Sequence, residues 1–202
     1  MRHFCKHILA ASLMLVFVAK SGFGQELSFS QYESYTITLD QLSLDDLVFE
    51  GPIVTGGGLY EVELPQAKAL MVTGVNYLDA FVQIEADGEL LLEGNAACSG
   101  DPSCSIPFNL QAAYANRGEN NLGDSQYIPV VNNFSNARFP ILGRLQNAPG
   151  PPPPPPTLDF DQSLVNENAY LYLYGTIDVG NVDAGYYQGT ITVTIYYEQA
   201  DV

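Results

Sequence analysis

Residues 170–197 read YLYLYGTIDVGNVDAGYYQGTITVTIYY, two strictly alternating runs separated by a glycine-bounded break. Leu171, Leu173, Ile177 and Val179 fall on one side; Tyr170, Tyr172, Tyr174 and Thr176 fall on the other. After 180–185, Ile191, Val193 and Ile195 share one face, and Thr190, Thr192, Thr194 and Tyr196 share the opposite one. A period of two is the mark of a strand, because successive side chains leave a pleated backbone on opposite sides. The stretch predicts a β-hairpin with one apolar face for a core. Its second face carries Tyr and Thr with almost no charge, a composition suited to surface association.

The same period recurs along the chain. Tyr35, Ile37 and Leu39 alternate with Thr36 and Thr38, and Tyr60, Val62 and Leu64 alternate with Glu61 and Glu63 after a glycine break at 56–58. Residues 70–75 form an uncharged, mostly apolar run, expected as a central strand. Asp87-Gly88 sits between 81–86 and 89–93 and gives a strong hairpin signal. Ile106, Phe108 and Leu110 alternate again, and 127–131 and 139–142 make shorter strands, with Pro129 arguing for an edge. Residues 40–47 would supply a helical turn or two at most. Many short strands, polar turns and no intervening helices predict an all-β fold, an antiparallel β-sandwich.

Residues 1–24 stand apart. Arg2 and Lys6 precede the apolar run 8–18, and Gly22-Phe23-Gly24 offers small residues before Gln25. That order predicts a cleaved secretory signal peptide. The run is shorter than the roughly 18–20 residues of a membrane-crossing helix, and no membrane span is expected elsewhere. The remaining 25–202 is long enough to bury about 70% of its unfolded surface as one domain. The expected location is the periplasm, the cell surface or the extracellular space.

Arg2, Lys6 and Lys20 leave with the leader, so four of seven basic residues face 23 acids, a net charge of about −19. Such a surface disfavours nucleic acid and anionic lipid, which need clustered Lys and Arg. Acidity also serves solubility alone. Cys98 and Cys104 flank Ser99-Gly100-Asp101-Pro102-Ser103, turn chemistry that lets the two sulfurs meet. Export makes a disulfide the expected state, a local staple of about 2–2.5 kcal/mol in the entropic account. Two thiolates alone are too few for zinc.

The chemistry of catalysis is sparse. Both histidines, His3 and His7, fall in the leader, which leaves 25–202 without the commonest general base and metal ligand. Lys68 is the one lysine left, and no phosphate loop or dinucleotide fingerprint is present. Neither an enzymatic role nor a cofactor is expected. Asp178, Asn181 and Asp183 make a weak calcium candidate, since hard oxygen ligands suit that ion. Turns favour the same residue types.

Two segments invite interaction. Tyr170, Tyr172 and Tyr174 form a stripe that would suit a protein or glycan surface, although strand propensity accounts for the same tyrosines. Leu27, Phe29, Tyr35, Ile37 and Leu39 share the odd positions of 26–40, a candidate assembly strand for another subunit's sheet, or else the domain's own first strand. Residues 149–156 make a proline tract, read as a stiff internal loop. Residues 116–136 are Asn-rich and read as surface loops. They include the glycosylation sequon Asn133-Phe134-Ser135.

The closing segment, with Gly175-Thr176-Ile177-Asp178-Val179, Gly185-Tyr186-Tyr187-Gln188-Gly189 and then Ile191 to Tyr196, resembles the end of the secreted bacterial family called domain of unknown function 4402. It is similar, more loosely, to fimbrial and spore-coat-like pilus subunits. The resemblance implies an immunoglobulin-like sandwich in or outside the envelope and carries no catalytic residues. A structural or adhesive surface protein is expected, a pilus-like subunit joined by strand addition, with a carbohydrate-binding module as the alternative. Expected partners are protein, including further copies of the chain, or glycan.

Overall fold

The computed structural model describes residues 35–43, 45–50, 52–76, 78–143 and 166–197. The leader 1–24, Leu27 and Phe29 of the candidate assembly strand, and the proline tract 149–156 lie outside them. The described residues all belong to one unit, Tyr35–Val202.

The described residues of this unit form eleven strands, and the fold is an all-β sandwich of two antiparallel sheets. In chain order they are β1 (Thr38–Gln41), β2 (Gly58–Val62), β3 (Lys68–Val75), β4 (Asp79–Ala86), β5 (Glu89–Leu92), β6 (Ser105–Ala115), β7 (Gln126–Ile128), β8 (Phe134–Pro140), β9 (Asn166–Val179), β10 (Tyr187–Gln188) and β11 (Ile191–Tyr197). The larger sheet runs β1-β3-β9-β6-β5-β10, with β2 also on β9 and β7 also on β6; the smaller is β11-β4-β8. Three short 3-10 turns, Leu64–Gln66, Ala96–Cys98 and Leu122–Asp124, are the helical pieces among the described residues.

The alternation works as the pleat requires. Inward residues of the large sheet (Leu70, Val72, Phe108, Leu110, Leu171, Leu173, Ile177) meet Ala80, Val82, Ile84 and Phe139 of the small sheet in one core. Burying each such aliphatic side chain contributes about 1.5–3 kcal/mol. Tyr114 and Phe139 stack at 4.3 Å between ring centres, joining the layers.

Two expected hairpins are corrected by the topology. β9 and β11 do not pair: β9 is flanked on one edge by β3 and β2 and on the other by β6, so it offers β11 no free edge. β11 crosses the sandwich and pairs with β4. Asp87-Gly88 likewise joins no hairpin, since β4 lies in the small sheet and β5 in the large one. Both crossings happen at one corner. The Asp87 amide donates to the Thr190 carbonyl at 3.0 Å, and the Thr190 amide donates to Asp87 Oδ2 at 2.7 Å. From Ala86 to Leu91 one ribbon strand advances five residues, while its partner advances three, from Gln188 to Ile191. Two extra residues on one side of an antiparallel pair act as a bulge and bend it. Here the bend carries a two-stranded ribbon from one sheet into the other.

The Asn-rich stretch is also more ordered than a surface loop. It supplies β7, the start of β8 and a tight turn at Asn132 and Asn133, both with positive φ (52° and 59°). Val131 and Phe134 exchange backbone bonds across that turn, at 2.9 and 3.1 Å. Two successive left-handed residues are the requirement of a type I′ turn, and Asn meets it. Asn133 is only 8% exposed. Its amide is spent on protein partners, so the sequon does not present an accessible side chain.

Candidate functional site

Eight strands offer more apolar face than three can cover. The consequence is visible at β11. Ala80, Val82 and Ile84 of the neighbouring β4 are fully buried, whereas the inward Ile191, Val193 and Ile195 of β11 are only partly buried. The second edge of β11 pairs with no strand among the described residues. At the far end the sandwich is pinned shut, where the Val75 amide donates to the Tyr197 hydroxyl at 2.7 Å. Towards Ile191 it opens into a groove of about 1210 Å³. The floor is the inner face of the large sheet, including Leu70, Phe108, Leu173 and Ile177, and one wall is Ile191 and Val193.

A strap of chain lies over this opening. In 45–50, Leu47 and Phe49 point inward and pack on the core, while Val48 and Glu50 point out. Phe49 meets Phe108 edge to face with ring centres 6.2 Å apart. This is strand-like alternation, yet the residues carry no strand pairing. The strap is tied at its ends. Lys68 Nζ donates to the Ser43 and Asp45 carbonyls and, at 3.3 Å, to Ser43 Oγ. Thr55 Oγ1 accepts from the Val182 amide at 3.0 Å, and the Gly56 amide donates to the Gly180 carbonyl at 2.6 Å.

The expected site residues are distributed differently from their sequence pattern. Leu39 sits in β1, paired through Val72 to β3, and with Ile37 it packs on this chain's own core; Tyr35 is exposed. That part of the candidate assembly strand is the edge of its own sheet. The tyrosine stripe is the larger correction. Tyr172 is 1% exposed and Tyr170 9%, with Tyr174 partly buried. They pack under Ala113, Ala115, Met71, Leu64 and Leu122 as a second apolar cluster. Tyr172 donates from its hydroxyl to Asn120 Oδ1 at 2.7 Å, and burial raises its pKa. The 3-10 turns at Leu64–Gln66 and Leu122–Asp124 supply Leu64 and Leu122 to that cluster, so this face of β9 is a second interior rather than a platform.

Cys98 and Cys104 are joined in a disulfide, with Cα atoms 5.4 Å apart. Glu89 of β5 reaches into the same loop, accepting from Ser99 Oγ at 2.6 Å and the Gly100 amide at 3.0 Å. Those bonds hold its carboxyl below the ordinary value, the Ser99 bond most of all. Of the calcium candidates, Asp178 and Asn181 are exposed. The Asp183 backbone is engaged, its amide with Ser103 at 2.7 Å and its carbonyl with the Tyr187 hydroxyl at 2.7 Å. Among the described residues no three His, Cys, Asp or Glu side chains converge as a metal site, and no helix is long and apolar enough to cross a membrane.

The outer face of the small sheet carries one aromatic feature that the sequence reading missed. Phe81 and Tyr196 are cross-strand partners and stack at 5.7 Å, with the Arg138 guanidinium 5.2 Å from the Phe81 ring centre and paired with Asp79. Both faces of Phe81 are thereby engaged.

No protein-family model matches the chain, and no curated protein matches it. A solved chain described under "Chaperone-tip adhesin complex is vital for synergistic activation of CFA/I fimbriae biogenesis" aligns at 16% identity with a TM-score of 0.37. The alignment covers 82% of this chain, which spans 43% of that one. A superposition this loose carries no argument about function.

Proposed function

We propose that this chain is an exported structural or adhesive surface protein, a pilus-like subunit that assembles by accepting a strand from a second copy along the free edge of β11. The observation that carries the reading is the partly buried inner row Ile191, Val193 and Ile195 beside an edge unpaired among the described residues and a groove floored by core residues. An incoming strand would complete the backbone ladder on β11 and bury those aliphatic side chains, the recurring physics of strand addition. The donor in this reading is 25–34, which precedes β1 and contains Leu27 and Phe29. A role without catalysis is supported by the lack of histidine in 25–202, and export by the disulfide, which persists in oxidising compartments.

Two changes test it. The chain from Gln25 should form concentration-dependent oligomers by analytical ultracentrifugation and electron microscopy, and deletion of 25–34 should leave folded monomers. Val193→Lys, which puts a charge on the groove wall, should also yield monomers. Oligomers that survive both changes would overturn the proposal.

A further inference from the structure

The groove is roofed by this chain: residues 46–49 and 53–55 line it opposite the large sheet, and how they are held is informative. The inward side chains Leu47 and Phe49 contact core residues that would otherwise face the opening. Among the described residues, no hydrogen bond ties 46–53 to the rest of the fold; the anchors are at Ser43, Asp45, Val54, Thr55 and Gly56. A strand added to a sheet would be held along its whole length by ladder bonds, whereas this strap is held at its two ends. Its outward side mixes apolar and acidic residues, with Val48 59% and Val54 56% exposed beside the exposed Asp46 and Glu50.

The latch is also unusual in its chemistry. Lys68 is the single lysine of 25–202, in a chain with 23 acids. Among the described residues its ammonium is nevertheless spent on the Ser43 and Asp45 carbonyls and the Ser43 hydroxyl, at the entry of the strap, rather than on a carboxylate. That use of the one available ammonium fixes the strap's entry. Thr55 and Gly56 fix its exit against Gly180 and Val182, in the segment between β9 and β10.

We propose that residues 45–50 and 52–55 are a removable internal plug, seated through Leu47 and Phe49 and latched by Lys68 and Thr55, which swings out before a strand adds to β11. The inference rests on the strand-addition reading above and adds its control: the free subunit is self-capped, and the plug competes with the incoming strand. Apparent affinity for that strand is then reduced by the fraction of molecules with the plug displaced.

The test uses the chain 25–202 in three forms: unaltered, Lys68→Met, and Leu47→Ser with Phe49→Ser. Each is titrated with a labelled synthetic peptide of residues 25–34 while amide hydrogen exchange is followed at 45–55 and 191–195. Lys68→Met keeps the aliphatic stem on the core and cuts only the latch, so it remains informative if the double change destabilises the domain. The expected result is faster exchange at 45–55 in both variants and peptide affinity raised about tenfold or more. Equal affinity and equal exchange in all three forms would overturn the plug. Faster exchange with no peptide binding by any form would overturn strand addition by this segment and leave the displaceable strap standing.

Discussion

Asn133 is where a single side chain joins the two layers. Its Oδ1 accepts from the Leu110 amide at 2.7 Å, and its Nδ2 donates to the Phe108 carbonyl at 2.7 Å and the Asp87 carbonyl at 3.1 Å. Leu110 and Phe108 belong to the large sheet, and Asp87 follows β4 of the small one. Asn133→Ala strands a buried amide, at about 1–3 kcal/mol, and removes two further bonds of about 1 kcal/mol each. It also places a Cβ-bearing residue without a local polar side chain at a φ of 59°, adding about 1 kcal/mol. The expected loss is about 4–6 kcal/mol, read as a lower urea midpoint at unchanged slope. Asn133→Gly removes the same bonds without the backbone cost, so it should be about 1 kcal/mol milder than Ala. Asn133→Asp keeps the acceptor for Leu110 but turns an oxygen towards two carbonyls. The new carboxyl is then favoured when protonated, and its folded pKa is raised. The stability it retains should be full below the ordinary aspartate value and lost as pH rises through the raised one. A cost under about 1 kcal/mol for Asn133→Ala, or equal costs for Ala and Gly, would refute this account of the side chain and the turn.

Further outcomes follow from the same packing. Burial raises the pKa of Tyr114, Tyr172, Tyr174 and Tyr197; their contribution to stability is present below the ordinary tyrosine value of about 10 and lost as pH rises through the raised ones. Phenolate absorbance should therefore appear in two stages, with the second coincident with loss of the β circular-dichroism signal. Glu89 is shifted the other way by Ser99 and Gly100, so its contribution is present above the ordinary glutamate value and fades as pH falls through the lowered one. The difference in urea midpoint between the unaltered chain and Glu89→Gln should shrink on acidification, and a constant difference would contradict it. Gly175→Ala would place a Cβ inside contact distance of the Asn109 carbonyl across the β9–β6 ladder; it should cost about 3 kcal/mol or prevent folding, measured by the same denaturation.

Side-chain facing was legible in the sequence. The aliphatic positions of β9 and β11 point to the core as their period requires, because the period is a property of the strand itself. Pairing was not legible to the same degree. Asp87-Gly88 marks a reversal or a bend with equal force, and the choice was made by neighbours far along the chain, Thr190 and Asn133. The tyrosine stripe failed for a related reason. Alternation identifies two faces of a strand but is silent on whether a short turn elsewhere will cover the second, and Leu64 and Leu122 do so here. Asn132-Asn133 between Val131 and Phe134 was the one missed signal available locally, since paired Asn residues suit a two-residue turn with positive φ.

The groove is tied to the bent corner. At Gly189-Thr190 the ribbon leaves the large sheet as β10 and enters the small one as β11, so β11 starts over the large sheet's inner face with β4 on one edge and no strand on the other among the described residues. Its other end is drawn in by Tyr197 on Val75, which closes the sandwich there and leaves the opening near the corner. Filling that opening by lengthening the small sheet would need a further strand on β11, and the described chain supplies only an unpaired strap. β9 contributes to the buried core on both faces, so the fold retains a large apolar interior independent of the opening. That division, a well-packed large sheet and an under-covered small one, lets the domain remain folded although one edge of β11 carries no strand among the described residues.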